Sequence, residues 1–208
     1  MPTFLRNISF AVITAATCLG GQAREASDFF IEAPSEVIPL LTKSARMDML
    51  DYFRSSLDTP TSNSLRGRSR ITAMTPSSMD ISISDNTTLQ LVVQPTGKAD
   101  TLIMVIETVR TPIADSGIRI YDRSWQEVPT KLPGYMDFVA KDKRKEAKKL
   151  PAPLMVFTQI EYQPESGVYV FTDRSREYYY KDEVPEVVSF FVPEVRKRFS
   201  RYQFVDSK

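Results

Sequence analysis

The chain has 208 residues, with 27 Lys or Arg against 26 Asp or Glu, and it contains no histidine. A formal charge of +1 steers it toward neither nucleic acid nor an acidic membrane. Without histidine the usual general base, the usual metal ligand and every Ser-His or Cys-His pairing are gone.

Residues 1–23 read as a secretory signal. Arg6 supplies the charged start, residues 8–18 form a short run of apolar and small side chains, and Gly21-Gln22-Ala23 ends it with small residues. The run is too short to span a bilayer. Cys18 is the only cysteine, and it leaves with this segment. About 185 residues then remain, enough for one domain or two small ones with a substantial core. The reading places the mature chain in the periplasm or outside the cell, with no transmembrane span. Residues 24–133 are expected to hold N-terminal helices and a β-meander. Residues 134–208 are expected to hold a helix, a second hairpin and a C-terminal helix, packed with the first part.

Pro34, Ser35 and Glu36 predict a helix start, with Val37, Ile38, Leu40 and Leu41 as its apolar side and Pro39 limiting its length. Ser44 predicts the cap of a second helix, in which Met47, Leu50 and Phe53 follow at helical spacing. Asp48 and Asp51 then sit on neighbouring turns of a solvated face. Residues 58–70 read as a polar loop.

Residues 78–125 organise the chain. Met79, Ile81 and Ile83 alternate with polar residues, as do Leu89, Leu91 and Val93, and a turn at Asp85-Asn86-Thr87 lies between the two runs. Residues 95–98 turn the chain again. Residues 101–109 are apolar on both faces, the pattern of a central strand covered on both sides. Ile118, Ile120 and Tyr121 make a fourth strand, and Trp125 lies just past it.

Tyr135 opens a helix expected to reach Leu150, with a basic, solvated end at Lys141 to Lys149. Residues 154–160 and 168–172 predict the second hairpin, turned at Pro164 to Gly167. Residues 183–199 read as helical pieces divided at Pro193. The fold class is therefore α+β: an antiparallel β-meander plus a second hairpin, with helices at the N-terminus, in the middle and at the C-terminus.

Neither a phosphate-binding loop nor an EF-hand loop can be written on this chain, and seven glycines are too few for a glycine-rich cradle. No cofactor, no metal and no catalytic residue is expected. A carboxylate pair of the glycosidase kind is the chemistry that remains. Tyr178, Tyr179 and Tyr180 form the most distinctive run. Adjacent tyrosines on a strand point to both faces, so they mark either an edge strand over the core or a partner-binding surface.

Taken together, Phe30, Ala33-Pro34, Pro39-Leu40-Leu41-Thr42-Lys43, Arg46, Asp48, Asp51, Asn63-Ser64-Leu65-Arg66-Gly67, Ala114-Asp115-Ser116, Ile120-Tyr121-Asp122 and Trp125 resemble a family of exported proteins of unknown function, largely confined to the Bacteroidales. The match is close over the first two-thirds and loose after Gly134. The resemblance implies export and a mixed α and β fold, and it implies no activity. The expectation is an envelope protein that binds without catalysis, its partner an unknown envelope protein or a glycan. The alternative is a carboxylate-based glycan hydrolase.

Overall fold

The computed structural model describes residues 24–96 and 100–207. The expected signal segment and the Gly97-Lys98 part of an expected turn lie outside the described residues. Among the described residues the chain forms two antiparallel sheets.

The first sheet has six strands in sequence order: β1 (Thr61–Ser62), β2 (Arg68–Met74), β3 (Ser78–Ser82), β4 (Thr87–Pro95), β5 (Thr101–Val109) and β6 (Asp115–Tyr121). Local alternation sets the register: Met79 faces Leu91, and Val105 faces both Leu91 and Arg119. One face carries α1 (Ala26–Glu32) and α2 (Lys43–Arg54). Here Phe29, Phe30, Ile38, Leu41 and Met49 bury against Met79, Ile81, Leu91, Ile103 and Val105. Each such side chain contributes roughly 1.5–3 kcal/mol relative to exposure.

Downstream come α3 (Tyr135–Phe138), α4 (Arg144–Ala147), β7 (Thr158–Gln163), β8 (Val168–Asp173), α5 (Glu186–Ser189), β9 (Glu194–Ser200) and β10 (Gln203–Asp206). The four strands pair in the order β10-β9-β8-β7. They cover the second face of the first sheet, where Val92, Leu102, Met104, Ile106, Ile118 and Ile120 meet Ile160, Tyr169, Phe171 and Phe199. β5 is thus covered on both faces, as its two apolar sides require. In strand order it stands second from the β6 edge rather than at the middle.

Several local expectations are corrected. Pro34 starts only a turn, closed by Val37 N–H and Ile38 N–H to its carbonyl at 3.1 and 3.3 Å. Pro39 cannot donate the next bond. The first helix lies upstream, at α1. Thr42, not Ser44, caps α2, accepting from Ala45 N–H at 3.2 Å. Met49 is the buried methionine of that helix, while Met47 is 49% exposed. The polar loop contains β1 and the start of β2.

The helix expected over residues 135–150 is interrupted at Val139, which pairs with Phe191 in an isolated bridge. Bonds from Ala140 N–H to Phe190 O and from Val192 N–H to Phe138 O hold that crossing at 3.0 and 2.8 Å. The second hairpin begins at Thr158 instead of residue 154, and Leu154 is 95% exposed. Its turn places Gly167 at φ +64°, a conformation that L side chains rarely adopt. The helix expected over residues 183–199 is one turn, α5, followed by β9, so the described chain ends in strands.

Candidate functional site

The two sheets are joined by side chains that finish an open strand edge. β7 is the edge of the smaller sheet, so alternate backbone groups on it have no strand partner. Thr158 N–H donates to Asp115 Oδ1 at 3.0 Å, and Ile160 N–H donates to Ser116 Oγ at 2.9 Å. Gln90 completes the row. Its Oε1 accepts from Tyr162 N–H at 2.7 Å, and its Nε2 donates to Tyr162 O at 2.9 Å. The amide side chain thus acts as one residue of a neighbouring strand. Asp115 and Ser116 are accounted for as this lock.

Other residues that carry the resemblance also have structural roles. Asn63 Oδ1 accepts from Leu65 N–H and Gly67 N–H at 3.0 and 2.8 Å, and its Nδ2 donates to Ile83 O at 2.9 Å. A Cβ at Gly67 would lie 2.8 Å from that nitrogen, so the turn needs glycine. Arg46 is buried and donates to Ala33 O at 2.6 Å, tying α2 to the turn after α1. Burial lowers its guanidinium below the usual arginine value. Asp122 Oδ1 accepts from Ser124 and Gln126 N–H, which seats Trp125 against Phe29 and Tyr121. Asp48 and Asp51 are exposed on α2. Among the described residues no group of three or more Cys, Asp or Glu side chains is placed to hold a metal.

Tyr178, Tyr179 and Tyr180 do not lie on a strand. A 3-10 turn at Ser175–Glu177 precedes them, and they form the bend that follows. Ser175 is fully buried and holds Phe157 N–H at 3.1 Å. Arg174 N–H reaches Phe157 O at 2.9 Å. Arg176 Nη2 donates to the carbonyls of Val188, Ser189 and Phe191 at 3.1–3.2 Å. The Tyr179 hydroxyl donates to Met155 O at 3.1 Å and accepts from Met155 N–H at 3.3 Å. Tyr178 packs on Phe157 and Tyr179, each with ring centroids 5.1 Å apart.

The three rings therefore have unequal roles. Tyr179 is half-buried and pins residues 155–157. Tyr178 is 51% exposed and Tyr180 is 80% exposed. Leu154 and Met155, at 95% and 43%, are exposed on the segment that the Tyr179 hydroxyl pins. Sequence reading found the tyrosines and missed Leu154 and Met155, because an apolar pair beside Pro153 reads as a strand start.

A second concavity, of ≈ 230 Å³, lies where the larger sheet runs past β7. Its walls carry Asp80, Thr88, Gln90, Arg110, Gln159 and Glu161. Gln90 Nε2 also donates to Asp80 Oδ1 at 2.7 Å, and Arg174 Nη2 fixes Gln159 Oε1 at 2.8 Å. Burial raises the Asp80 carboxyl above the usual aspartate value, against the opposing bond from Gln90.

The fold so defined is an α+β domain: a six-stranded antiparallel sheet with helices on one face and a four-stranded sheet on the other. The chain belongs to the family described as "Protein of unknown function (DUF3256)", whose model matches residues 18–204. It is similar in fold to a domain of an uncharacterized protein from Porphyromonas gingivalis W83, a member of the Bacteroidales, with a TM-score of 0.69 and 21% identity. The similarity covers 87% of this chain and 96% of that one. No curated protein matches the chain.

Proposed function

We propose that this is an exported envelope protein that binds a partner protein without catalysis, through the surface formed by Tyr178, Tyr180, Leu154 and Met155. The observation that carries the reading is the pairing of exposure with rigidity. Tyr178 and Tyr180 stand on a turn fixed by Ser175, Arg176 and Tyr179, so little conformational entropy is lost when their rings are covered. Tyrosine adds apolar area with a polar tip, a chemistry enriched at protein interfaces. The non-catalytic half rests on composition: a chain without histidine, whose one cysteine lies in the signal segment, has few means of proton transfer or nucleophilic attack near neutral pH.

Export rests on the Arg6 start and the Gly21-Gln22-Ala23 end. N-terminal sequencing of the native protein is expected to begin near Arg24, and intact Met1 in a cytosolic fraction contradicts it. The surface is tested with the mature chain as bait in envelope extract. A Tyr178→Ala/Tyr180→Ala bait is expected to lose a partner that the native bait retains, with a drop of about 2 kcal/mol or more in binding while the variant still melts cooperatively. Equal retention by both baits refutes the surface. Incubation with envelope glycans and peptides tests the other half: reproducible turnover, abolished by replacing one carboxylate, favours a hydrolase.

A further inference from the structure

Independently of the tyrosine surface, we infer that the groove between the larger sheet and β7 binds a neutral saccharide, taking one sugar unit of a glycan at a time. The second face of the larger sheet has two halves. The apolar half, Val92, Leu102, Met104 and Ile106, is covered by the smaller sheet. The polar half, Asp80, Thr88, Gln90 and Arg110, extends past β7 and forms the groove with Gln159 and Glu161. A half-face of this kind needs no polar side chains beyond the solubilising few, yet here acids, amides, a hydroxyl and a guanidinium converge on one concavity.

Two features make it a built site rather than a seam. First, part of the lining is fixed in advance. Gln90 is held at both ends by Tyr162 and in turn holds one Asp80 oxygen, while Arg174 holds Gln159. Second, part of the lining is uncommitted. Among the described residues Arg110 and Glu161 share the groove without an ion pair or side-chain hydrogen bond to each other or to any other group, and the Thr88 hydroxyl is likewise free. Fixed planar groups beside free donors and acceptors suit a ligand that both donates and accepts at several adjacent points, as sugar hydroxyls do.

Charge and size narrow the class. Asp80 and Glu161 oppose the single guanidinium of Arg110, so a phosphate or carboxylate ligand meets net repulsion. The ≈ 230 Å³ volume lies below the roughly 300–1,000 Å³ of pockets for drug-sized molecules, which leaves room for one ring with its chain continuing into solvent.

The test is an amide-shift NMR titration of the intact chain with maltohexaose, cellohexaose and chitohexaose in separate experiments. At least one is expected to give saturable shifts centred on Thr88, Gln90, Arg110 and Glu161. Arg110→Ala and Glu161→Gln alter exposed side chains, so both variants should melt with the native protein and each should weaken binding at least tenfold. The Tyr178→Ala/Tyr180→Ala variant should bind the saccharide normally. No saturable shift with any probe, shifts centred elsewhere, or undiminished binding in both groove variants overturns the inference. Loss of the saccharide in the tyrosine variant overturns the placement as well, whereas loss of the protein partner there bears only on the tyrosine surface.

Discussion

Tyr169 is fully buried, with ring centroids 4.8 Å from Tyr162 and 5.2 Å from Phe204, and its hydroxyl donates to Met104 Sδ. Burial holds that hydroxyl well above the usual tyrosine value, so it stays protonated. Its acceptor is a weak one. Tyr169→Phe is therefore expected to cost about 1 kcal/mol or less, and Tyr169→Ala about 3–5 kcal/mol, read from urea unfolding midpoints. Lys197 presents the opposite case. Its buried ammonium donates to Asp137 and Asp206 at 2.7 and 2.8 Å. Burial pulls its pKa down, but the two hydrogen bonds outweigh that and leave it above the usual lysine value. The bond from Lys197 in turn holds Asp206 below the usual aspartate value. The Asp206 contribution is present above about pH 4 and is lost as pH falls through its depressed folded value; the Lys197 contribution is present below about pH 10.4 and is lost as pH rises through its raised one. Replacing both Asp137 and Asp206 with Ala strands the charge and is expected to cost about 3–5 kcal/mol, whereas adding Lys197→Met to that double variant is expected to recover most of the loss. The deficit of the double variant should hold steady from about pH 5 to 9 and shrink below that, as denaturation across pH will show.

Among the elements, β5 and β7 carry the most specific expectations. Val105 is 1% exposed on a strand paired on both sides, so Val105→Asp should unfold the domain, because an unpaired buried charge costs as much as the whole stability margin. A soluble variant that melts cooperatively refutes this. The β7 edge depends on side chains 43 to 72 residues away in sequence. Gln90→Ala removes both bonds to Tyr162 and strands those backbone groups. The expected loss is about 1–3 kcal/mol, with faster hydrogen exchange at the Tyr162 amide. Unchanged protection at that amide would show that another group satisfies it.

For the whole molecule, the cluster containing Met104, Ile106, Tyr169 and Phe171 draws from both sheets, and neither sheet can expose it without exposing the other. Unfolding is expected as one transition, with far- and near-ultraviolet circular dichroism coincident. Two separated transitions would mean that the sheets fold as independent units. Among the described residues no helix is long and apolar enough to cross a membrane.

The sequence by itself determined the meander. Residues 79–93 alternate with a period of two, residues 101–109 are apolar on both sides, and turn residues divide them; these patterns are local properties of strands with one or two buried faces. It also determined the chemistry that is missing, since histidine is absent by composition. Only the tertiary structure decided the rest. β9 escaped because Lys197 occupies an inward position between Val195 and Phe199, and a charge there breaks the apolar alternation unless Asp137 and Asp206 are known to meet it. β2 escaped because its outward residues are polar and a register shift between Ile71 and Ala73 disrupts the period. The helix expected from Tyr135 was cut by pairing with Phe191, and the tyrosine run took its bend from Ser175 and Arg176. The groove was invisible for the same reason. Its walls come from β2 to β5 and from β7, and the bonds that fix Gln90 join residues 72 apart, a distance at which periodicity carries no information.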